Sequence, residues 1–220
     1  MTSFFDPSKL EIESISRGLS EAREYFRGRV LDLGCGNQPY ARLAGRGNLQ
    51  YLGVDLSLEH SPLPDVCADS LRLPFRDSTF DTILSTQVIE HVADPSEMMK
   101  EIGRVLKPFG HVIMTAPQAW PLHEEPRDFF RYTRYGLQIL AQRCDLEILY
   151  IRERGGGILA LAQLANAFLY DKFGRHPLIR SFLKLILSPI SSLFKLLDKM
   201  LYYPKFTLGY VMVAQKRRGR

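Results

Sequence analysis

Through the first two-thirds of the chain, short apolar runs alternate with stretches in which apolar residues recur every three or four positions. The runs near 29–33, 50–54, 80–85 and 110–115, with a shorter one at 65–68, are too short for helices and read as buried strands. Residues 8–27 place Leu10, Ile12, Ile15, Leu19, Ala22 and Phe26 on one face of a helix. Lys107-Pro-Phe-Gly110 reads as a turn, 136–143 as a helix, 146–152 as a strand and 207–214 as the last strand. The alternation predicts an α/β fold built on a parallel sheet.

Between the last two strands, over 155–204, the pattern changes. Three glycines, Gly155 to Gly157, open the segment, and Ile158 to Tyr170 is apolar apart from Gln163 and Asn166. In Leu178 to Tyr203, the residues Arg180, Lys184, Ser188, Ser191, Lys195 and Lys199 recur at helical spacing. This predicts a helix pair with a basic stripe, broken near Pro189. Neither stretch offers about eighteen uninterrupted apolar residues, so a surface-lying amphipathic element is expected rather than a membrane span. The alternative is a pair of helices packed on the domain or in a homodimer interface.

Length and charge sharpen the picture. A chain of 220 residues with 45% hydrophobic content fits one domain, 1–220, with 155–204 as a helical insertion. The net charge of +5 is uneven: residues 1–150 hold 16 Lys and Arg against 21 Asp and Glu, and residues 151–220 hold 13 against 3. Such a basic, apolar segment attracts anionic partners, nucleic acid or membrane lipid. The polar N-terminal stretch to Arg29 does not read as a signal peptide, so a cytoplasmic protein is expected, peripheral on the inner membrane face. Cys35, Cys67 and Cys144 lie far apart, without ligand-like spacing, and read as reduced thiols; no metal site is expected.

The chemistry concentrates in Val30-Leu-Asp-Leu-Gly-Cys-Gly36, where a buried run meets an acid and two glycines. A Cβ-free loop that opens a helix lets the backbone approach a ligand closely. Asp55 ends the next apolar run nineteen residues after Gly36, a placement suited to gripping the hydroxyls of a ribose. Gln38 stands where a dinucleotide site would need a third glycine, which argues against a nicotinamide enzyme.

Taken with Gly53-Val-Asp55, Asp69-Ser-Leu-Arg-Leu-Pro-Phe75, Phe80 to Val92 and Glu101 to Met114, in that order, this region resembles the class I S-adenosylmethionine-dependent methyltransferases that act on small molecules. The resemblance implies a Rossmann-like seven-stranded sheet with helices on both faces and an antiparallel last strand, here with the helical insertion between strands six and seven. It implies S-adenosylmethionine as cofactor. Asp32, Gly34, Cys35 (through its backbone) and Gly36 would meet the methionine tail, Asp55 with the adjoining Leu56 the ribose, Asp69 and Ser70 the adenine amino group, and Gln87 the cofactor's edge.

On the acceptor side the candidates are Glu90 and His91 after the fourth strand, and the segment His123 to Arg134. Histidine suits a base near neutral pH, which makes His123 the candidate base and His91 its neighbour. Arg127 and Arg131, with Tyr132, could hold an anionic group; Asp128 and Arg131 are alternatively spaced to pair with each other. The expected acceptor is a small or lipid-linked molecule. Ser85-Thr86-Gln87 lacks the motif of enzymes that methylate DNA bases. The basic residues Lys205, Lys216, Arg217, Arg218 and Arg220 lack interleaved aromatics, so nucleic acid is not expected. A non-catalytic adaptor that binds membrane or a partner protein is the competing class.

Overall fold

The computed structural model describes residues 9–44, 49–59, 61–174 and 176–218. Seven strands form one sheet: β1 (Arg29–Leu33), β2 (Gln50–Asp55), β3 (Val66–Cys67), β4 (Phe80–Thr86), β5 (Leu106–Pro117), β6 (Leu146–Glu153) and β7 (Gly209–Lys216). The order is β3-β2-β1-β4-β5-β7-β6. Strands β1 to β5 pair in parallel, and β7 runs antiparallel to both β5 and β6. Val30, Leu31 and Leu33 of β1 are all buried, because helices cover both faces; the strand therefore reads as a continuous apolar run instead of alternating.

The helices are α1 (Lys9–Glu21), α2 (Ala41–Ala44), α3 (Pro95–Val105), α4 (Arg134–Gln142), α5 (Gly157–Phe173) and α6 (Pro177–Met200). Helix α3 starts where Asp94 accepts from the amide of Glu97 at 3.0 Å and Pro95 fills the first turn, which needs no donor there. It buries Met98, Met99, Ile102 and Val105 in a cluster shared with Leu137 and Ala141 of α4. On the opposite face, Ile15 and Leu19 of α1 pack with Val30, Leu84, Ile113 and Val213.

Two local expectations are corrected. The turn at 107–110 is absorbed into β5, whose irregular start has Phe109 at φ 62° and a shifted register opposite Phe80 and Thr82. Helix α6 runs through Pro189 without the expected break. A proline within a helix costs about 3 kcal/mol, and α6 is continuous in spite of that penalty. The side chains of Arg180, Lys184 and Ser188, half of the expected basic stripe, lie outside the described residues, as do Ser8 and Arg220.

The insertion is tied down by two charges from α6. The carboxylate of Asp198 accepts from the amides of Gly156 (2.8 Å) and Leu159 (3.0 Å), capping the first turn of α5 where the helix dipole favours an anion. Lys195 pairs with Glu13 of α1. Among the described residues no helix is long and apolar enough to cross a membrane.

Helix α1 is fixed across the sheet edge by Arg154, which follows β6. Its side chain is fully buried, and Nη1 donates to Glu11 Oε1 at 2.7 Å and to Ser14 Oγ at 3.3 Å. Its backbone amide donates to the carbonyl of Gly209 at 2.8 Å.

Both attachments are testable by denaturation. Asp198→Ala should lose about 1–2 kcal/mol of stability, a fall of roughly 2–8 °C in Tm, with Asp198→Asn nearer the parent; an unchanged melt for the alanine variant would mean that α6 does not cap α5. Arg154→Met strands a buried carboxylate and should lose roughly 3–5 kcal/mol in urea, with much of the loss recovered by adding Glu11→Leu. If the two losses simply add, the buried pair is not the tie described.

Candidate functional site

The strand order reverses between β1 and β4, and in open α/β sheets ligands bind where the carboxyl ends diverge at such a point. Strand β1 ends there in Gly34-Cys35-Gly36. Gly34 has φ 72°, and a Cβ on it would come within 2.3 Å of Val88. The amides of Gly34 and Cys35 both donate to the carbonyl of Val54, at 2.8 and 3.0 Å, which pins the loop against β2. Gly36 also has positive φ, yet a Cβ there would meet nothing within 4 Å. The missing side chain at Gly36 thus leaves open space. Gln38, where a third glycine might stand, takes φ 53° nonetheless, and its side-chain amide donates to the carbonyl of Leu63 at 3.1 Å.

Two acids flank this loop. Asp32 is 1% exposed; Tyr51 donates its hydroxyl to Oδ2 at 2.6 Å, and Oδ1 has no partner among the described residues. Burial pushes its carboxyl up to about 7, against the Tyr51 bond. Asp55 accepts from the amide of Gly36 at 2.9 Å through Oδ2 and from that of Ser57 at 3.0 Å through Oδ1, so β2 presents an oriented carboxylate. The Cys35 thiol is buried and, chiefly by that burial, pushed up to about 12, which leaves it no nucleophile. Leu56 is exposed beside Asp55. Asp69 accepts from the amide of Leu71 at 2.9 Å, forming a turn with half-buried Ser70.

Beyond β4, Gln87 sits at φ 55°, donating to Thr115 Oγ1 at 2.9 Å and accepting from Arg154 Nη2 at 3.3 Å. The charge network of α1 therefore ends at the cofactor-side candidate Gln87. Neither Glu11 nor Arg154 was legible as a site residue, since 143 positions separate them.

The segment 118–133 folds back over the residues after β4. The amides of Phe129 and Phe130 donate to the Glu90 carbonyl at 2.9 and 3.3 Å. Asp128, whose carboxylate is 1% exposed, grips Arg131 through both oxygens at 2.6 and 2.8 Å, and Arg131 holds that carboxyl far below the usual range. Arg131 spends further donors on the carbonyls of Trp120 and Pro121, at 3.0 and 2.8 Å, so it braces the loop. Tyr132 is buried with its hydroxyl on the carbonyl of Ile89 at 3.1 Å. Arg127 is exposed. The structure thus turns Arg131 and Tyr132 inward and leaves Arg127 at the surface.

His91 and His123 meet edge to face, ring centroids 4.6 Å apart. Nδ1 of His91 lies 2.7 Å from the carbonyl of Arg127. Nδ1 of His123 lies 3.2 Å from the carbonyl of Pro121 and 3.2 Å from Asp128 Oδ2. A carbonyl oxygen can only accept, so each ring presents an N–H at Nδ1 to its partner. Glu90 completes the group. It is fully buried, neither carboxylate oxygen has a partner among the described residues, and burial pushes it up to about 8. Glu90, His91 and His123 each offer a ligating atom within 4.8 Å of the other two, a proximity that the sequence pattern did not foretell. The 32-residue gap between His91 and His123 concealed it.

Residues 31–114 match the methyltransferase domain family. An uncharacterised protein of Methanocaldococcus jannaschii is 40% identical over 88 residues, 39% of this chain and 39% of its own. A ubiquinone biosynthesis O-methyltransferase of Cereibacter sphaeroides is 30% identical over 129 residues, 51% of this chain and 49% of that one. The chain spans about half or less of the length of these curated relatives. Over nearly its whole length it shares its fold with solved structures. The [4+2]-cyclase SpnF superposes with a TM-score of 0.62 at 22% identity, covering 92% of this chain and 81% of that one. A putative methyltransferase of Bacillus halodurans superposes at 0.60 and 14%, covering 92% and 98%. The match over β1 to β5, the strand order and these superpositions identify residues 31–114 as a methyltransferase domain on the class I S-adenosylmethionine-dependent methyltransferase fold.

Proposed function

We propose that the protein transfers a methyl group from S-adenosylmethionine to a small apolar acceptor held at a lipid surface. The observation that carries the reading is the divergence of β1 and β4, where Gly36 leaves open space between buried Asp32, with one bare oxygen, and the oriented carboxylate of Asp55. These residues fit the cofactor. Asp32 can take its amino group, Asp55 its ribose hydroxyls by accepting both donors at once, and the Asp69–Ser70 turn its adenine amino group. S-adenosylmethionine supplies a methyl on a cationic sulfur, with a neutral thioether as leaving group. The protein then has to align the acceptor and exclude water. His123 activates the acceptor through Nε2, its ring held by Asp128 and Pro121, with His91 alongside.

The acceptor class follows from the rim. Leu122, Phe129 and Phe130 are exposed on the segment that carries His123. Relatives support an apolar acceptor: besides the ubiquinone enzyme, a demethylmenaquinone methyltransferase of Corynebacterium urealyticum is 32% identical over 88 residues, 37% of this chain and 38% of its own. The lipid surface is read from α5 and α6, which expose Leu161, Phe168, Phe173, Phe182, Leu193 and Leu196 in the basic third of the chain.

Binding of S-adenosylmethionine should depend on pH through Asp32. The free carboxyl, raised to about 7, is largely neutral below that value and ionised above it. A cationic amino group prefers the ionised form, so affinity should rise from pH 6 to pH 8, with proton release visible by calorimetry in buffers of different ionisation enthalpy. Asp32→Asn should bind more weakly and lose the dependence, and Asp55→Ala should weaken binding at every pH. A folded protein that binds neither S-adenosylmethionine nor S-adenosylhomocysteine would overturn the reading.

For the lipid surface, the full chain should sediment with vesicles containing anionic phosphatidylglycerol and less with pure phosphatidylcholine. Phe168→Glu with Phe182→Glu should abolish sedimentation while cofactor affinity is kept. Equal sedimentation of the parent with both vesicle types, or none with either, counts against it.

A further inference from the structure

We infer that Glu90, His91 and His123 form a binding site for one divalent transition-metal cation on the acceptor side of the cofactor crevice. Three independent features point to it. One atom from each side chain lies within 4.8 Å of the other two, before any ion draws them together. Glu90 is buried without a hydrogen-bond partner for either oxygen among the described residues, an arrangement that is unfavourable for a carboxyl group and that a cation relieves.

The third feature is the setting of the two rings. A metal-bound histidine ordinarily gives its other N–H to a carbonyl or carboxylate, which fixes the tautomer and turns the lone pair toward the ion. His91 does this with the carbonyl of Arg127 at 2.7 Å. His123 does it with the carbonyl of Pro121 and with Asp128, and Asp128 is in turn clamped by Arg131. The brace around His123 is therefore what a metal ligand needs behind it. Metal–nitrogen and metal–oxygen distances of about 2.0–2.2 Å bring ligand atoms to roughly 4.3 Å apart or less, so the half-buried rings need move only slightly.

Two imidazoles and one carboxylate suit Zn²⁺, Mn²⁺ or Co²⁺ better than Mg²⁺ or Ca²⁺, which favour oxygen donors throughout. Glu124, mostly exposed, has its Oε2 3.9 Å from His91 Nε2 and adds negative charge nearby. With a cation bound, His123 would no longer be free as a base, and the ion would take over from its ring the activation of an acceptor oxygen. The inference rests on the proposed function for that role, but not for the existence of the site.

The test uses the untagged full chain freed of metal, titrated with Co²⁺ and followed by visible absorption, with Zn²⁺ calorimetry beside it. One equivalent of Co²⁺ per chain is expected to bind with micromolar affinity, giving the spectrum of a nitrogen- and oxygen-ligated ion, and Zn²⁺ should displace it. Glu90→Gln and His123→Ala should each weaken binding by at least ~30-fold, and Asp128→Asn by roughly 10–100-fold through loss of the orienting carboxylate. Retained S-adenosylmethionine binding shows that each variant is folded. Absence of stoichiometric binding at millimolar Co²⁺, or binding unaltered in Glu90→Gln and His123→Ala, overturns the metal site. Cofactor binding without metal leaves the methyltransferase reading standing alone, and metal binding without cofactor leaves the site standing without that reading.

Discussion

A guanidinium cannot be buried without partners, and the way Arg154 finds its partners organises this molecule. Its charge lies at the end of β6, wholly out of water. Continuum arguments put the penalty for an isolated buried ion at several kcal/mol, so the surrounding chain has to supply acceptors. Glu11 and Ser14 come from α1, Gln87 comes from the end of β4, and the close passage of β7 is possible because Gly209 has no side chain: a Cβ there would stand 2.5 Å from Arg154 Nη2. One cation thus ties α1 to the end of β4 and helps to hold Gln87.

The same low-dielectric setting explains the two carboxyls with raised pKa. Asp32 lies on the cofactor side and Glu90 on the acceptor side, and each is shifted up mainly because burial disfavours its charged form. Core carboxyls are usually paired or removed by selection for stability. Here each retains at least one oxygen without a partner among the described residues, which is destabilising to the isolated fold and suited to receiving a positive group. A site designed around a cationic donor has a reason to keep such groups.

Much of this was legible in the chain itself, and the division is physical. The strands and the Gly34–Gly36 loop were readable because their signals are local: apolar runs of strand length, then residues without Cβ where the backbone turns left-handed. Asp55 was readable because the βαβ unit has a nearly fixed length. Arg154 with Glu11, Asp198 capping α5, and the meeting of His91 with His123 depend on contacts across 143, 42 and about 30 positions, which no local pattern encodes. Arg131 was left open for a related reason. Its spacing to Asp128 allowed either a substrate clamp or an internal pair, and only the burial of that carboxylate decided for the pair.

The fold does not fix the chemistry, since a [4+2]-cyclase is built on the same sheet. What individualises this chain is what hangs from the edge: the braced loop bearing His123, and the helical insertion. These two are joined to the crevice from opposite ends of one contiguous structure. Lys195 and Asp198 fasten α6 to α1 and α5, α1 carries Glu11 to Arg154, and Arg154 reaches Gln87. The His123 loop exposes Leu122, Phe129 and Phe130, and behind them Asp128, Arg131 and Tyr132 are each held by a partner in the scaffold. Preorganisation of this kind removes the ordering penalty from the moment of reaction, which is where a transfer needing alignment more than acid–base force gains most.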